Sequence, residues 1–148
     1  MKPTPPGWPR ISQALYYTEA AKAIDFLVDA FGFEVRIRVV GENGRIEHSE
    51  LTFGEGLVMV GDVAGREGKY PCRRSPSQLD GVNTQSLFVY VDDVESHFAR
   101  AVAAGARVHS PLATVDYGEE HWADRGYECE DPGGHHWWFA QRLRDPKS

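Results

Sequence analysis

The sequence predicts an α+β protein made of two copies of one β-α-β-β-β module. Three observations carry this reading. An apolar strand, Ile11 to Tyr17, runs into Glu19 and a helical stretch closing at Phe31-Gly32-Phe33. The same order returns when Ser86 to Val91 runs into Asp92-Asp93 and a helical stretch closing at Ala104-Gly105-Ala106. Alternating strands then follow each helix, separated by glycine-rich turns. Each copy is too small to bury its own apolar face, so the copies must share a core, and the groove between them is the natural place for a site. At 148 residues the chain suits one domain with a sizeable core.

In chain order, Met1 to Gly7 is a proline-rich arm. The first helix starts near Thr18, whose hydroxyl suits a cap, with Glu19 near the positive end of the helix dipole. Ala20, Ile24, Leu27 and Phe31 recur at helical spacing and form its buried stripe, and Gly32 supplies the left-handed position that ends it. Glu34 to Val40 alternates as a strand, Gly41 to Gly44 turns, and strands follow over Arg45–Phe53 and Leu57–Val60 around the turn Gly54-Glu55-Gly56. Residues 64–83 lack periodicity and are rich in glycine, arginine, proline and serine, which marks a linker or a loop lying over a site. In the second module, Val94, Phe98 and Val102 give the helix stripe. Strands are expected near Ala106–Ala113, Arg125–Glu130 and His135–Ala140, the last two joined by the turn Asp131-Pro132-Gly133-Gly134.

Composition narrows the function. Sixteen basic against 22 acidic side chains give a net charge of −6, which argues against nucleic acid as the partner and would tolerate a cationic ligand. The same charge is also what ordinary solubility requires. No apolar run reaches the roughly 18 residues of a membrane span, and no signal-peptide region opens the chain. Cys72 and Cys129 form no disulfide framework and no closely spaced metal pair, so a reducing cytoplasm is the expected location.

The pieces Ala23-Ile24-Asp25-Phe26-Leu27, Ala30-Phe31-Gly32-Phe33, Gly44 to Leu51, Tyr90-Val91-Asp92-Asp93-Val94 and Glu130 to His135 occur in a fixed order. In that ordered set the chain resembles the vicinal oxygen chelate superfamily of glyoxalase I, fosfomycin- and bleomycin-resistance proteins and extradiol dioxygenases. The resemblance implies a single domain over residues 8–143. Its modules would be 8–63 and 84–143, joined by the loop 64–83, with an arm at 1–7 and a tail at 144–148. It further implies an eight-stranded cup around a ligand cavity and a homodimer.

Metal-dependent members of that superfamily hold a divalent ion through side chains on the first and last strands of each module. The corresponding positions fall near Ser12, Met59, Ser86 and Trp138, with Gln13 and Gln85 as neighbours one residue away. Methionine and tryptophan supply no carboxylate, so no metal and no cofactor are expected there. The alternative is a divalent ion (Zn, Ni, Mn or Fe) on a non-standard set, His48 and Glu50 with His121 or His136. In that case the protein is a lyase, isomerase or dioxygenase. His135 and His136 are adjacent in a strand and point to opposite faces, so only one can serve such a site. His97 lies on the second helix and reads as structural or exposed.

Strand alternation sends Tyr16, Met59, Phe88, Tyr90, His136 and Trp138 to one face, while Leu15, Leu87, Val89 and Phe139 take the other. His48 and Glu50 share a face opposite Leu51 and Phe53. The stretch Val115 to Tyr127 is aromatic and acidic, and offers Trp122 and Arg125 with Tyr117 and His121. The expected ligand-binding residues are therefore Tyr16, His48, Glu50, Met59, Phe88, Tyr90, Trp122, Arg125, His136 and Trp138. Aromatic faces with a few polar tips suit a small aromatic or cationic molecule. The expectation is a binding protein similar to the bleomycin-resistance proteins, with no assigned catalytic residue.

Overall fold

The computed structural model describes residues 1–147; Ser148, the end of the expected 144–148 tail, lies outside the described residues. The first module runs β1 (Gln13–Tyr17), α1 (Ala20–Phe26), β2 (Glu34–Val40), β3 (Ile46–Phe53) and β4 (Gly56–Asp62). The second runs β5 (Leu87–Tyr90), α2 (Val94–Ala103), β6 (Arg107–Asp116), β7 (Ala123–Glu130) and β8 (His136–Arg144). Each makes a four-stranded sheet, ordered β1-β4-β3-β2 and β5-β8-β7-β6. In both, the first strand pairs in parallel with the last, and the remaining neighbours are antiparallel. The duplicated β-α-β-β-β order predicted from the sequence is therefore present, strand for strand.

The register makes the two copies superposable by count. Tyr17 lies opposite Asp62, and Val91 follows the Tyr90–Ala140 pair. Each helix begins three residues after its equivalent position, at Ala20 and at Val94. A side chain from the last strand of the module receives the helix's first N–H. Asp62 Oδ1 accepts from Ala20 N at 2.9 Å, and Gln141 Oε1 accepts from Val94 N at 3.2 Å. Asp62 Oδ2 also accepts from Ile46 N at 2.7 Å, tying α1 to β3 and β4 at once.

The core is continuous across the modules. Ala20, Ile24, Leu27 and Phe31 are buried as their spacing predicts, together with Leu15, Leu51, Val58 and Val60. Phe31 packs on Phe139 (centroids 4.7 Å apart) and on Trp137 (5.4 Å) of the second module. After Phe26 the helix widens into a π-helical turn, Leu27–Phe31, which Gly32 ends at φ +82°. Carbonyls at that end are taken by α2: Arg100 donates to Asp29 O (2.6 Å) and Val28 O (2.8 Å), and His97 Nε2 donates to Phe31 O (3.0 Å). Cations at a helix C-terminus also complement its dipole.

The second clasp is the Asp131–Gly134 turn. The buried Asp131 carboxylate accepts from Tyr17 OH (2.6 Å), Trp137 Nε1 (3.0 Å), Gly133 N (2.9 Å) and His135 N (3.1 Å). Gly133 is required because a Cβ there would stand inside van der Waals contact of the Tyr17 ring. The 64–83 segment docks on the same turn. Ser77 N donates to Gly133 O at 3.2 Å, and Asn83 Nδ2 to Gly134 O at 2.8 Å.

Several local expectations need correction. Thr18 does not cap α1; the cap position is Glu19, with no side-chain bond, because Asp62 already occupies the helix start. Val102 is exposed, and Ala101 takes the buried place on α2, since the helix packs through a narrower stripe. The stretch 115–127 is not a free loop. Strands β6 and β7 pair out to Asp116 and Ala123, leaving a short turn between them. Strand β8 likewise continues past Ala140 to Arg144, inside the expected tail.

Candidate ligand-binding site

Each sheet has one face against its helix and one face free of helices. On the second sheet, Tyr127, Cys129, Trp137 and Phe139 turn to the helix side and are buried. Parity then sends Phe88, Tyr90, Trp138, His136, Arg142, Glu128 and Glu130 to the open face. The register agrees, with Phe88 opposite Trp138 and Trp138 opposite Glu128. Gly126 lies between, and a Cβ there would meet Phe139 O at 2.7 Å, so the strand is bare at that point. Phe88 is 56 % and Tyr90 48 % exposed, unusual for rings at the centre of a sheet edge.

These rings are held rather than loose. Phe88 and Tyr90 meet edge to face at 5.2 Å, and Tyr117 lies 5.0 Å from Trp122 across the β6–β7 turn. Arg142 lies over both Tyr90 (5.2 Å) and Trp122 (5.6 Å), bonded to Asp124 Oδ1 at 2.6 Å. Tyr90 OH also donates to Asp124 Oδ2 at 3.2 Å, and Arg142 reaches Tyr90 OH. The Asp124 carboxylate therefore aligns an arginine and a phenol on one aromatic patch. The turn is latched by Arg144, which holds Asp116 and Gly118 O, and that pairing keeps the Asp116 carboxyl at about 2. Burial pushes the Cys129 thiol behind this sheet up to about 12, so it stays protonated and unreactive.

A groove of about 810 Å3 runs between β5 and the β3–β4 turn, with Phe88 and Tyr90 on one wall and Phe33, Phe53 and Leu57 among the others. That volume falls in the range of small-molecule pockets, roughly 300–1,000 Å3. On the first sheet, Ala14, Tyr16, His48, Met59 and Gly61 line a smaller groove of about 260 Å3. There Arg73, from the 64–83 segment, stacks on Tyr16 at 4.8 Å. His48 Nε2 lies 3.1 Å from Glu50 Oε1, and Arg36 Nε lies 2.9 Å from Glu50 Oε2.

The ten expected residues thus divide. Phe88, Tyr90, Trp122 and Trp138 share the open face of the second sheet, with His136 farther along it. Tyr16, His48, Glu50 and Met59 share the open face of the first. Among the described residues no hydrogen bond, ion pair or ring contact joins the two groups. Arg125 is a correction. Its side chain lies on the helix face, donating to Glu95 Oε1 at 2.7 Å and Thr114 Oγ1 at 3.2 Å, because odd-numbered β7 residues point to α2. The non-standard metal set is spread over the chain. His48 and Glu50 sit on one sheet, His136 on the other and His121 on an exposed turn, so those side chains do not converge. Sequence reading missed Arg142, Glu128 and Glu130. Extending the β8 alternation from His136 and Trp138 by two steps would have found Arg142.

A profile of the Glyoxalase/Bleomycin resistance protein/Dioxygenase superfamily matches residues 10–139. The chain belongs to that superfamily. It is 34 % identical over 139 residues to the uncharacterized protein Mb0911c of Mycobacterium bovis, covering 93 % of this chain and 86 % of that one. Among solved structures it resembles TioX from Micromonospora (31 % identity, TM-score 0.68, 91 % of this chain and 99 % of that one). It also shares its fold with TnmS3, an antibiotic binding protein from Streptomyces (19 % identity, TM-score 0.62, 88 % and 93 % covered).

Glyoxalase-type members hold a metal at positions that fall here near Ser12, Met59, Ser86 and Trp138. The donor set is two hydroxyls, a thioether and an indole. On the first strands the residues in register with Met59 and Trp138, Ala14 and Phe88, offer no donor; on the third strands Glu50 and Glu128 stand in register, but outside those four positions and already engaged by Arg36 and by His136. A hard or borderline divalent ion takes carboxylate, imidazole or thiolate. The residues do not fit the superfamily's usual ion.

Proposed function

We propose that this member of the glyoxalase/bleomycin resistance superfamily binds a planar aromatic small molecule by stacking and releases it unchanged. The observation that carries this reading is the exposed ring patch of Phe88, Tyr90 and Trp122 beside Trp138. Burying such rings against a flat ligand stabilises the complex by about 0.5–1.5 kcal/mol per ring pair beyond area. Arginines already lie on the rings of both sheets, Arg142 on Tyr90 and Arg73 on Tyr16. A simple cation would have to displace them, whereas a planar ring system can stack between ring and guanidinium. That favours an aromatic over a purely cationic ligand. The antibiotic-binding fold neighbour TnmS3 supports the same class of role.

A homodimer belongs to this reading. Strand β2 is an edge strand exposed along its length, with Val35, Ile37, Val39 and Val40 all 40 % exposed or more. Such an edge invites a partner strand or surface. A second copy covering it and the open faces would complete the walls of the site.

Titration with a panel of neutral, cationic and anionic fused-ring dyes, followed by quenching of tryptophan fluorescence, tests the proposal. Saturable quenching is expected, with the dye recovered at unchanged mass after release. Absence of binding across the panel removes the proposal, and recovery of a chemically altered compound replaces it with an enzyme.

A further inference from the structure

The far end of the second sheet's open face holds a cluster that the aromatic reading does not use. His109 Nε2 lies 2.6 Å from Glu130 Oε2, and His136 Nε2 lies 3.7 Å from the same oxygen. All three ligand atoms fall within 4.8 Å of one another. We propose that His109, Glu130 and His136 form a binding site for a borderline divalent transition ion, zinc in the first instance.

The backbone builds this triangle. His136 stands directly opposite Glu130 across β7 and β8. On the other side Arg107 pairs with Glu130 and Val108 with Cys129, but Ser110, not His109, pairs with Glu128. His109 is therefore the extra residue of a β-bulge. Alternation from Arg107 already places His109 on the face of Glu130 and His136, and the bulge brings Ser110 to that face as well, leaving His109 beside Glu130 with no partner directly opposite. The two histidine rings lie 4.5 Å apart, both beside one carboxylate.

An outer partner is already in place. His136 Nδ1 lies 2.9 Å from Glu128 Oε1, and Glu128 Oε2 accepts from Ser110 Oγ at 3.2 Å. A carboxylate on Nδ1 leaves the Nε2 lone pair free and raises its basicity, as in carboxylate–histidine–metal arrangements. A tetrahedral ion with bonds of 2.0–2.1 Å separates its ligands by about 3.3 Å. The separations from Glu130 Oε2, 2.6 Å to His109 and 3.7 Å to His136, lie on either side of that value. Charge points the same way, since two carboxylates, Glu128 and Glu130, crowd this corner. Among the described residues their one arginine neighbour, Arg107, reaches Glu130 from 3.7 Å and is 72 % exposed. Three protein ligands leave a coordination position open for water or for an oxygen donor of a bound molecule.

The site is separate from the positions where the superfamily's usual ion would sit, and it does not rest on the aromatic-ligand reading. Its test uses the untagged full chain, stripped with a chelator and titrated with zinc against a chromophoric competitor. One equivalent per chain is expected. His109→Ala and His136→Ala should each weaken binding by more than about 10-fold, and Glu128→Gln by roughly 10-fold with stoichiometry kept. Arg107→Ala should tighten it, because a competing cation is removed. That change is one a merely structural role would not produce. Circular dichroism confirms that each variant is folded. No stoichiometric zinc, or equal affinity in the His109→Ala/His136→Ala double variant, overturns the proposal. Loss of zinc on His48→Ala alone does so as well.

Discussion

Asp131 shows how one side chain can hold two modules together. Its two oxygens take four donors, two of them from aromatic side chains, Tyr17 and Trp137. Burial pushes its carboxyl upward while the donors pull it down, and the neighbouring carboxylate together with burial drives the Tyr17 phenol well above its ordinary range. Asp131→Ala leaves the Tyr17 hydroxyl and the Trp137 N–H buried without acceptors, at roughly 1–3 kcal/mol each. A loss of about 3–5 kcal/mol is expected in urea unfolding. His97 gives the pH prediction. Burial lowers its pKa, and its Nε2 proton is committed to Phe31 O. The unfolded imidazole titrates near 6.5. Below about that pH the unfolded chain takes up a proton that the folded one refuses, so stability is full above it and declines as pH falls. In His97→Gln this portion of the decline, followed by thermal unfolding from pH 7.5 to 5, should disappear.

At the scale of elements, each helix has its first N–H taken by a side chain far away in sequence, and α2 is capped locally by Asp93 as well. Asp62 serves the first turn of α1 and the start of β3 together. Asp62→Ala should cost about 2–3 kcal/mol in chemical denaturation, one cap plus one unsatisfied N–H. The element order, the helix stripes and the glycine turns were legible because each is a local pattern. Thr18 looked like a cap because nothing local shows that the last strand of the module already supplies one. The β6–β7 hairpin runs beyond the expected strand ends at Ala113 and Arg125 because its charged residues mask the strand period. The bulge at His109 was illegible for the same reason: a single-residue slip breaks parity, and only the partner strand reveals it. Parity placed Phe88, Tyr90, Trp138 and His136 correctly. Arg125 was chosen for its place in the 115–127 stretch and not by parity, which puts it with Tyr127 and Cys129 on the helix face.

For the whole molecule, duplication leaves two open faces and, in β2, an exposed apolar edge strand on a chain of 16.6 kDa. Light scattering coupled to size exclusion should return about twice that mass, and Val39→Asp should return a monomer, because a charge is set into the apolar edge. A monomer in the unaltered protein would remove the dimer. The central claim is that the rings of β5 and β8 make a stacking surface for a flat ligand. Calorimetric titration of the best-quenching dye into wild type and into the Phe88→Ala/Trp138→Ala double variant tests it most directly. The dissociation constant should rise by roughly 10-fold or more in the variant, the loss of two ring contacts. An unchanged constant in a folded variant would contradict it.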